Sequence, residues 1–154
     1  MTPLVPAPRT THCIVIQPDK HILMAKLIHT MIRVRDLDAS LKFYREVFDL
    51  TPSHRLDFPE FSLVYLRNDE NDSEVELTWN KGREEPYTHG DGYGHVAVAI
   101  DDVAARHAEL LQAGYEPLPI KEFKVGDELL ARFFFILDPD GYKIEVLEKH
   151  GHYR

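Results

Sequence analysis

The sequence predicts an α+β protein built from two βαβββ units in tandem, and three observations carry that expectation. Apolar and polar residues alternate with period two in several short runs. Two amphipathic helical stretches stand among those runs at corresponding places. The order of elements over residues 26–90 recurs over residues 91–154, and such internal repetition has to be recognised before any site is assigned.

In the first unit, the alternation from Lys26 through Leu27, Ile28, His29, Thr30, Met31, Ile32, Arg33 and Val34 marks a half-buried strand. Asp36 is the candidate cap of the helix that follows. Leu37, Leu41, Tyr44, Val47 and Phe48 recur at helical spacing until Leu50-Thr51-Pro52 closes it. Strands are expected near Ser53–Phe58, Phe61–Arg67 and Ser73–Asn80, with a turn at Asn68–Asp72 between the last two.

The second unit starts with a strand at Tyr93–Ile100. Asp101-Asp102 leads into a helix carrying Val103, His107, Leu110 and Leu111, which Gly114 ends as a left-handed cap. Strands are expected at Tyr115–Ile120, Leu129–Leu137 and Tyr142–Leu147, the last after an Asp138-Pro139-Asp140-Gly141 turn. Residues 1–25, interrupted by Pro3, Pro6, Pro8 and Pro18, read as an N-terminal extension, expected to be poorly ordered and to take no part in chemistry.

A chain of 154 residues can bury a real core. The single cysteine, Cys13, excludes an intrachain disulfide and a thiolate zinc site, and the reducing cytoplasm is the compartment it suits. A net charge of −8, with no basic stripe, argues against nucleic acid as a partner. No run approaches the ~20 apolar residues of a membrane span, so no membrane role is expected. Of nine histidines, His21, His54, His107, His150 and His152 are expected at the surface.

Two of the remaining histidines are paired by the repeat. His29 and His95 each stand seven residues before the helix-capping aspartate of their unit, and Glu76 and Glu145 each lie near the middle of their unit's last strand. Two units related by an approximate two-fold axis would bring these four side chains together as a metal site. Strand alternation puts His29 on a face with Met31 and Arg33, Glu76 with Thr78 and Asn80, His95 with Ala97 and Ala99, and Glu145 with Lys143 and Leu147. Ile28, Ile32, Leu77, Val96, Val98, Ile144 and Val146 would face helices. Two imidazoles and two carboxylates suit a divalent ion such as Ni²⁺, Co²⁺, Zn²⁺, Mn²⁺ or Fe²⁺ rather than a structural zinc.

The segments Leu27–Val34, Val75–Asn80, Tyr93–Ala97 and Asp138–Glu145, in order across residues 26–148, resemble glyoxalase I (lactoylglutathione lyase) of the short bacterial type, within the vicinal oxygen chelate superfamily. The resemblance implies paired sheets forming a metal-binding cavity and a homodimer. Its sites would lie at the subunit boundary, His29 and Glu76 coming from one chain and His95 and Glu145 from the other. The implied reaction converts the methylglyoxal–glutathione hemithioacetal into S-D-lactoylglutathione through an enediolate, with glutathione as co-substrate. Glu145 would be the base and Glu76 its partner on the other substrate face. Arg33 and Asn80 would hold the γ-glutamyl end, and Lys124 or Lys121 the glycyl carboxylate. Trp79 would line the pocket, and the Phe133-Phe134-Phe135 run would pack chiefly in the core. Ile120–Glu128 stands where short members carry a glycine-rich loop. Because the chain lacks the insertions of the longer zinc enzymes, Ni²⁺ or Co²⁺ is implied ahead of Zn²⁺.

Two other classes compete. One is a different enzyme of the same superfamily: an Fe²⁺ extradiol dioxygenase, a Mn²⁺ thiol transferase acting on fosfomycin, or an acyl-CoA epimerase. The dioxygenase would be expected to use two histidines and one carboxylate, so Glu76 argues against it. The other class is a metal-free protein of this fold that binds small molecules.

Overall fold

The computed structural model describes residues 24–70 and 72–154, which form ten elements in chain order. The first half comprises β1 (His29–Val34), α1 (Leu37–Phe48), β2 (Thr51–Asp57), β3 (Phe61–Arg67) and β4 (Glu74–Asn80). The second comprises β5 (Val96–Ile100), α2 (Val103–Gln112), β6 (Lys121–Val125), β7 (Glu128–Leu137) and β8 (Lys143–Glu148). Two four-stranded sheets result, ordered β1-β4-β3-β2 and β5-β8-β7-β6. In each, the first strand runs parallel to the last and the other pairs are antiparallel. Both helices start as their sequences require: Asp36 accepts a hydrogen bond from Ala39 N at 3.0 Å and Asp102 from Ala105 N at 2.9 Å. Gly114, at φ +84°, takes the left-handed position after α2.

One strand lies elsewhere than the alternation indicates. Residues 115–120 form no strand, and β6 runs through Lys121–Val125 instead, hairpinned to β7 across Gly126-Asp127. Pro117 and Pro119 have no N–H to give a ladder, so of this stretch only Leu118 N reaches β7, bonding Phe135 O at 2.7 Å. The segment Ile120–Glu128, which stands where short members carry a glycine-rich loop, is therefore largely this hairpin. Ile28 precedes β1 and is exposed rather than packed on a helix, and Leu111 is exposed as well. His107 is half-buried, its ring edge-on to Phe134 and its Nε2 3.0 Å from Leu118 O.

The two halves share one core. Ile32, Val34, Val64, Leu66 and Leu77 from the first sheet, Phe134, Ile136, Ile144 and Val146 from the second, and Phe43, Tyr44, Val47, Val103 and Leu110 from the helices form a single buried cluster. Polar contacts join the halves across it. Arg106 donates to Glu46 O and Val47 O at 2.6 and 2.8 Å, tying α2 to the end of α1. The turn after β7 is fastened to the first half: Asp140 accepts from Arg35 N at 3.1 Å, and buried Asp138 accepts from the Tyr44 hydroxyl at 3.1 Å. Burial raises the Asp138 carboxyl to about 6, against the bonds it receives from the Tyr142 and Asp140 backbone and from Tyr44. Each sheet thus presents one face to the common core and the other away from it. No helix among the described residues is long and apolar enough to cross a membrane. The reading of residues 1–25 as an extension lies, for residues 1–23, outside the described residues.

Candidate metal centre

The four residues singled out by the repeat occur as two matching pairs. His29 begins β1 and Glu76 lies in the adjacent β4, and His29 Nε2 is 3.2 Å from Glu76 Oε2. His95 immediately precedes β5 and Glu145 lies in the adjacent β8, with His95 Nε2 again 3.2 Å from Glu145 Oε2. Both carboxylates are largely buried and both imidazoles partly exposed, so each pair opens at the face of its sheet turned from the core. The chain does not bring the pairs together. Among the described residues, no group of three or more metal-ligating side chains converges. The shared core explains this, because packing the halves through their helix-bearing faces directs the two pairs to different surfaces.

The donor set and spacing fit a divalent ion. Nitrogen and oxygen donors bonded to one such ion at about 2.1 Å lie roughly 3.0–3.4 Å apart when they take neighbouring positions. Each pair has this spacing, so each could supply two adjacent ligands and leave the remaining positions to others.

The surroundings of the pairs differ. Glu76 Oε1 accepts from the Thr78 hydroxyl at 3.1 Å, and Tyr65 is its cross-strand partner on β3. Glu145 has Phe135 as cross-strand partner on β7, with Leu147 two residues along its own strand. Leu147, Ala131 and Phe133 form a small apolar cluster on the Glu145 face, joined by Phe135 and Tyr153. The phenylalanine run is therefore split by strand alternation. Phe134 packs in the main core, whereas Phe133 and Phe135 lie on the side of the second pair.

The expected substrate contacts separate similarly. Arg33 lies exposed on β1 at the Thr78 register, on the His29 side. Asn80 ends β4 and donates to the Tyr87 hydroxyl at 2.8 Å, while the Arg83 guanidinium lies 4.2 Å above the Tyr87 ring. Tyr87 was not identified from the sequence, since it falls in an unpatterned connection. Trp79 must be corrected: it sits one residue out of step with Glu76, packs against the core and donates from Nε1 to Arg35 O at 3.2 Å. Lys124 lies on β6 beside a register shift between Phe123 and Lys124. Its ammonium pairs at 2.7 Å with Glu122, which Arg132 also holds, and Phe123 stacks on Phe133. Lys121, two residues before Phe123 and opposite Phe133, shares the face of those two rings.

Residues 26–146 match the model of the Glyoxalase/Bleomycin resistance protein/Dioxygenase superfamily. The chain belongs to this superfamily. Its curated relatives include the lactoylglutathione lyase of Haemophilus influenzae, 38% identical over 131 residues, covering 80% of this chain and 92% of that one. The lactoylglutathione lyase of Neisseria meningitidis is 41% identical over 129 residues, covering 80% and 91%. Among solved structures, the trypanothione-dependent glyoxalase I of Leishmania major superposes with a TM-score of 0.66 at 34% identity, covering 82% of this chain and 88% of that one. Glyoxalase I of Zea mays gives 0.69 at 31% identity, covering 79% of this chain and 44% of that one. These likenesses place the chain in the glyoxalase I branch of the superfamily.

Proposed function

We propose that this lyase isomerises the hemithioacetal of methylglyoxal and glutathione to S-D-lactoylglutathione, using sites that two copies of the chain complete together. The observation that carries this reading is the pair of equivalent His–Glu couples, each with half the ligands of one divalent site and each facing away from the other. His29 and Glu76 of one copy would meet His95 and Glu145 of a second. The β1 and β5 strands beside these couples are sheet edges, and such edges are suited to pairing with another chain.

A divalent ion held by these four residues would act as a Lewis acid on the two vicinal oxygens of the substrate, with Ni²⁺ or Co²⁺ expected ahead of Zn²⁺. Glu145 removes the proton from the sulfur-bearing carbon and returns it to the neighbouring carbon, so that the aldehyde carbon becomes the thioester carbonyl and the ketone becomes the hydroxyl. Glu76 stands on the opposite side of the reacting carbons. Arg33 and Asn80 hold the γ-glutamyl carboxylate, where a guanidinium gives a charge-assisted bond. Lys121, on the face of Phe133, or Lys124 further along β6, would meet the glycyl carboxylate. Phe133, Phe135 and Leu147 keep water from the carbon acid.

The test begins with metal-stripped protein reconstituted with Ni²⁺, Co²⁺, Zn²⁺, Mn²⁺ or Fe²⁺, given pre-formed hemithioacetal and followed by thioester absorbance. Activity with Ni²⁺ or Co²⁺ that is lost in His95→Ala is expected. No thioester with any metal would remove the proposed reaction. Glu76→Gln and Glu145→Gln chains are then unfolded and refolded together. Shared sites would restore up to about a quarter of wild-type activity, because half of the pairs are hybrids with one intact site each. Absence of recovery would rule out sites shared between copies.

A further inference from the structure

The two half-sites carry the same arrangement of rings, differing by one hydroxyl. The Tyr65 ring meets His29 edge-on at 5.6 Å, and the Phe135 ring meets His95 edge-on at 5.7 Å. Tyr65 is the register partner of Glu76, as Phe135 is of Glu145. The aromatic packing is thus common to both halves, and the phenol oxygen is particular to the first. That oxygen faces Glu76. Burial raises the Tyr65 phenol above its ordinary pKa, and the Glu76 carboxylate beside it adds to the rise. On its other side the ring lies 6.1 Å from that of His54, which closes the row on β2. With Thr78 bonding Oε1 at 3.1 Å, Glu76 has one hydroxyl bonded to it and the Tyr65 phenol beside it. Glu145 has in the corresponding places only the apolar side chains of Phe135 and Leu147.

We propose that Tyr65 is a positioning residue: with its ring against His29 and its phenol beside Glu76, its cross-strand partner, it sets both donors of the first half-site in place for a divalent cation. The inference rests on the reading of His29 and Glu76 as metal ligands. A glutamate has several free torsions, and fixing them in advance removes part of the entropy lost when a metal is bound. Partners of this kind typically change metal affinity by about 10- to 100-fold. The same contrast leaves Glu145 the less restrained carboxylate, as a group that must reach between two carbons requires.

The experiment is titration of wild-type and Tyr65→Phe protein with Co²⁺ alone, read by visible absorption and calorimetry, with thermal unfolding of the metal-free forms alongside. Tyr65→Phe should bind Co²⁺ about tenfold or more weakly. Its bound-ion spectrum should be altered, and its melting temperature unchanged. Wild-type affinity and spectrum in Tyr65→Phe would overturn the role of Tyr65 while leaving the proposed function standing. Weakened binding that comes only with a collapsed melting temperature would overturn it too, since the hydroxyl would then support the fold rather than the ligands. Failure of the wild-type protein itself to take up Co²⁺ would remove the ligand reading and this inference together.

Discussion

Glu76 and Glu145 occupy corresponding points in two copies of one βαβββ pattern, each 3.2 Å from a histidine, yet their neighbours have opposite character. Around Glu76 stand Tyr65, Thr78 and Asn80, with Met31 and Arg33 on the next strand. Around Glu145 the matching places hold Phe135, Leu147 and Lys149, with Ala97 and Ala99 on the next strand. Next to its carboxylate the first half supplies hydroxyls and an amide, and the second supplies apolar walls with a lysine beyond them at either end. The two units keep the same histidine–glutamate pair in different surroundings, which is how two carboxylates of one kind could do different work.

Four experiments would break or sharpen that comparison. Glu145→Gln should lower turnover by about 10²- to 10⁴-fold, the range for loss of a general base, and by more than Glu76→Gln lowers it at saturating metal. Equal losses in stopped-flow single turnovers would erase the distinction between the carboxylates. The next effect concerns the turn after β7, which is fastened to the first half through Asp138. With Asp138 at about 6 when folded against an ordinary 3.8, the folded chain binds more protons between these values. Stability should therefore fall as pH rises from about 4 to about 6, by up to about 3 kcal/mol at roughly 1.4 kcal/mol per pH unit, and then level off. Urea midpoints across this range would show the slope, and Asp138→Asn should flatten it. Arg33→Ala should raise KM about tenfold or more while sparing kcat, as expected for a charged contact made equally before and during reaction. A fall in kcat alone would mean that Arg33 acts on the reacting atoms. Smallest is Phe135→Tyr, which copies the Tyr65 hydroxyl beside Glu145. It should tether that carboxylate and reduce kcat by about tenfold or less, the lower end of such neighbouring-group effects, without weakening Co²⁺ binding.

Much of this arrangement was legible in the sequence because strand and helix periods are local. The alternation around His29, Glu76 and Glu145 and the caps at Asp36 and Asp102 depend on neighbours a few residues away. The same alternation already separates Trp79 from Glu76 and Phe134 from its flanking phenylalanines, so those two expectations strayed from information that was present. Pro117 and Pro119 likewise announced that no ladder could begin before Ile120. Other features were not local. A period shows that a face is buried but not what buries it, so the common core between the two halves, and with it the separation of the donor pairs, lay beyond periodicity. Tyr65 was hidden for a related reason. Its partnership with Glu76 depends on cross-strand register, and unequal turns before β4 and β8 obscure its correspondence with Phe135.

The back-to-back core has a kinetic consequence. On the proposed reading, a chain that carries halves of two sites on different surfaces has, by itself, no complete site, however well folded it is. The rate per chain would therefore depend on how much chain is present. Strong dilution would switch the reaction off without unfolding anything, and concentration would switch it on again.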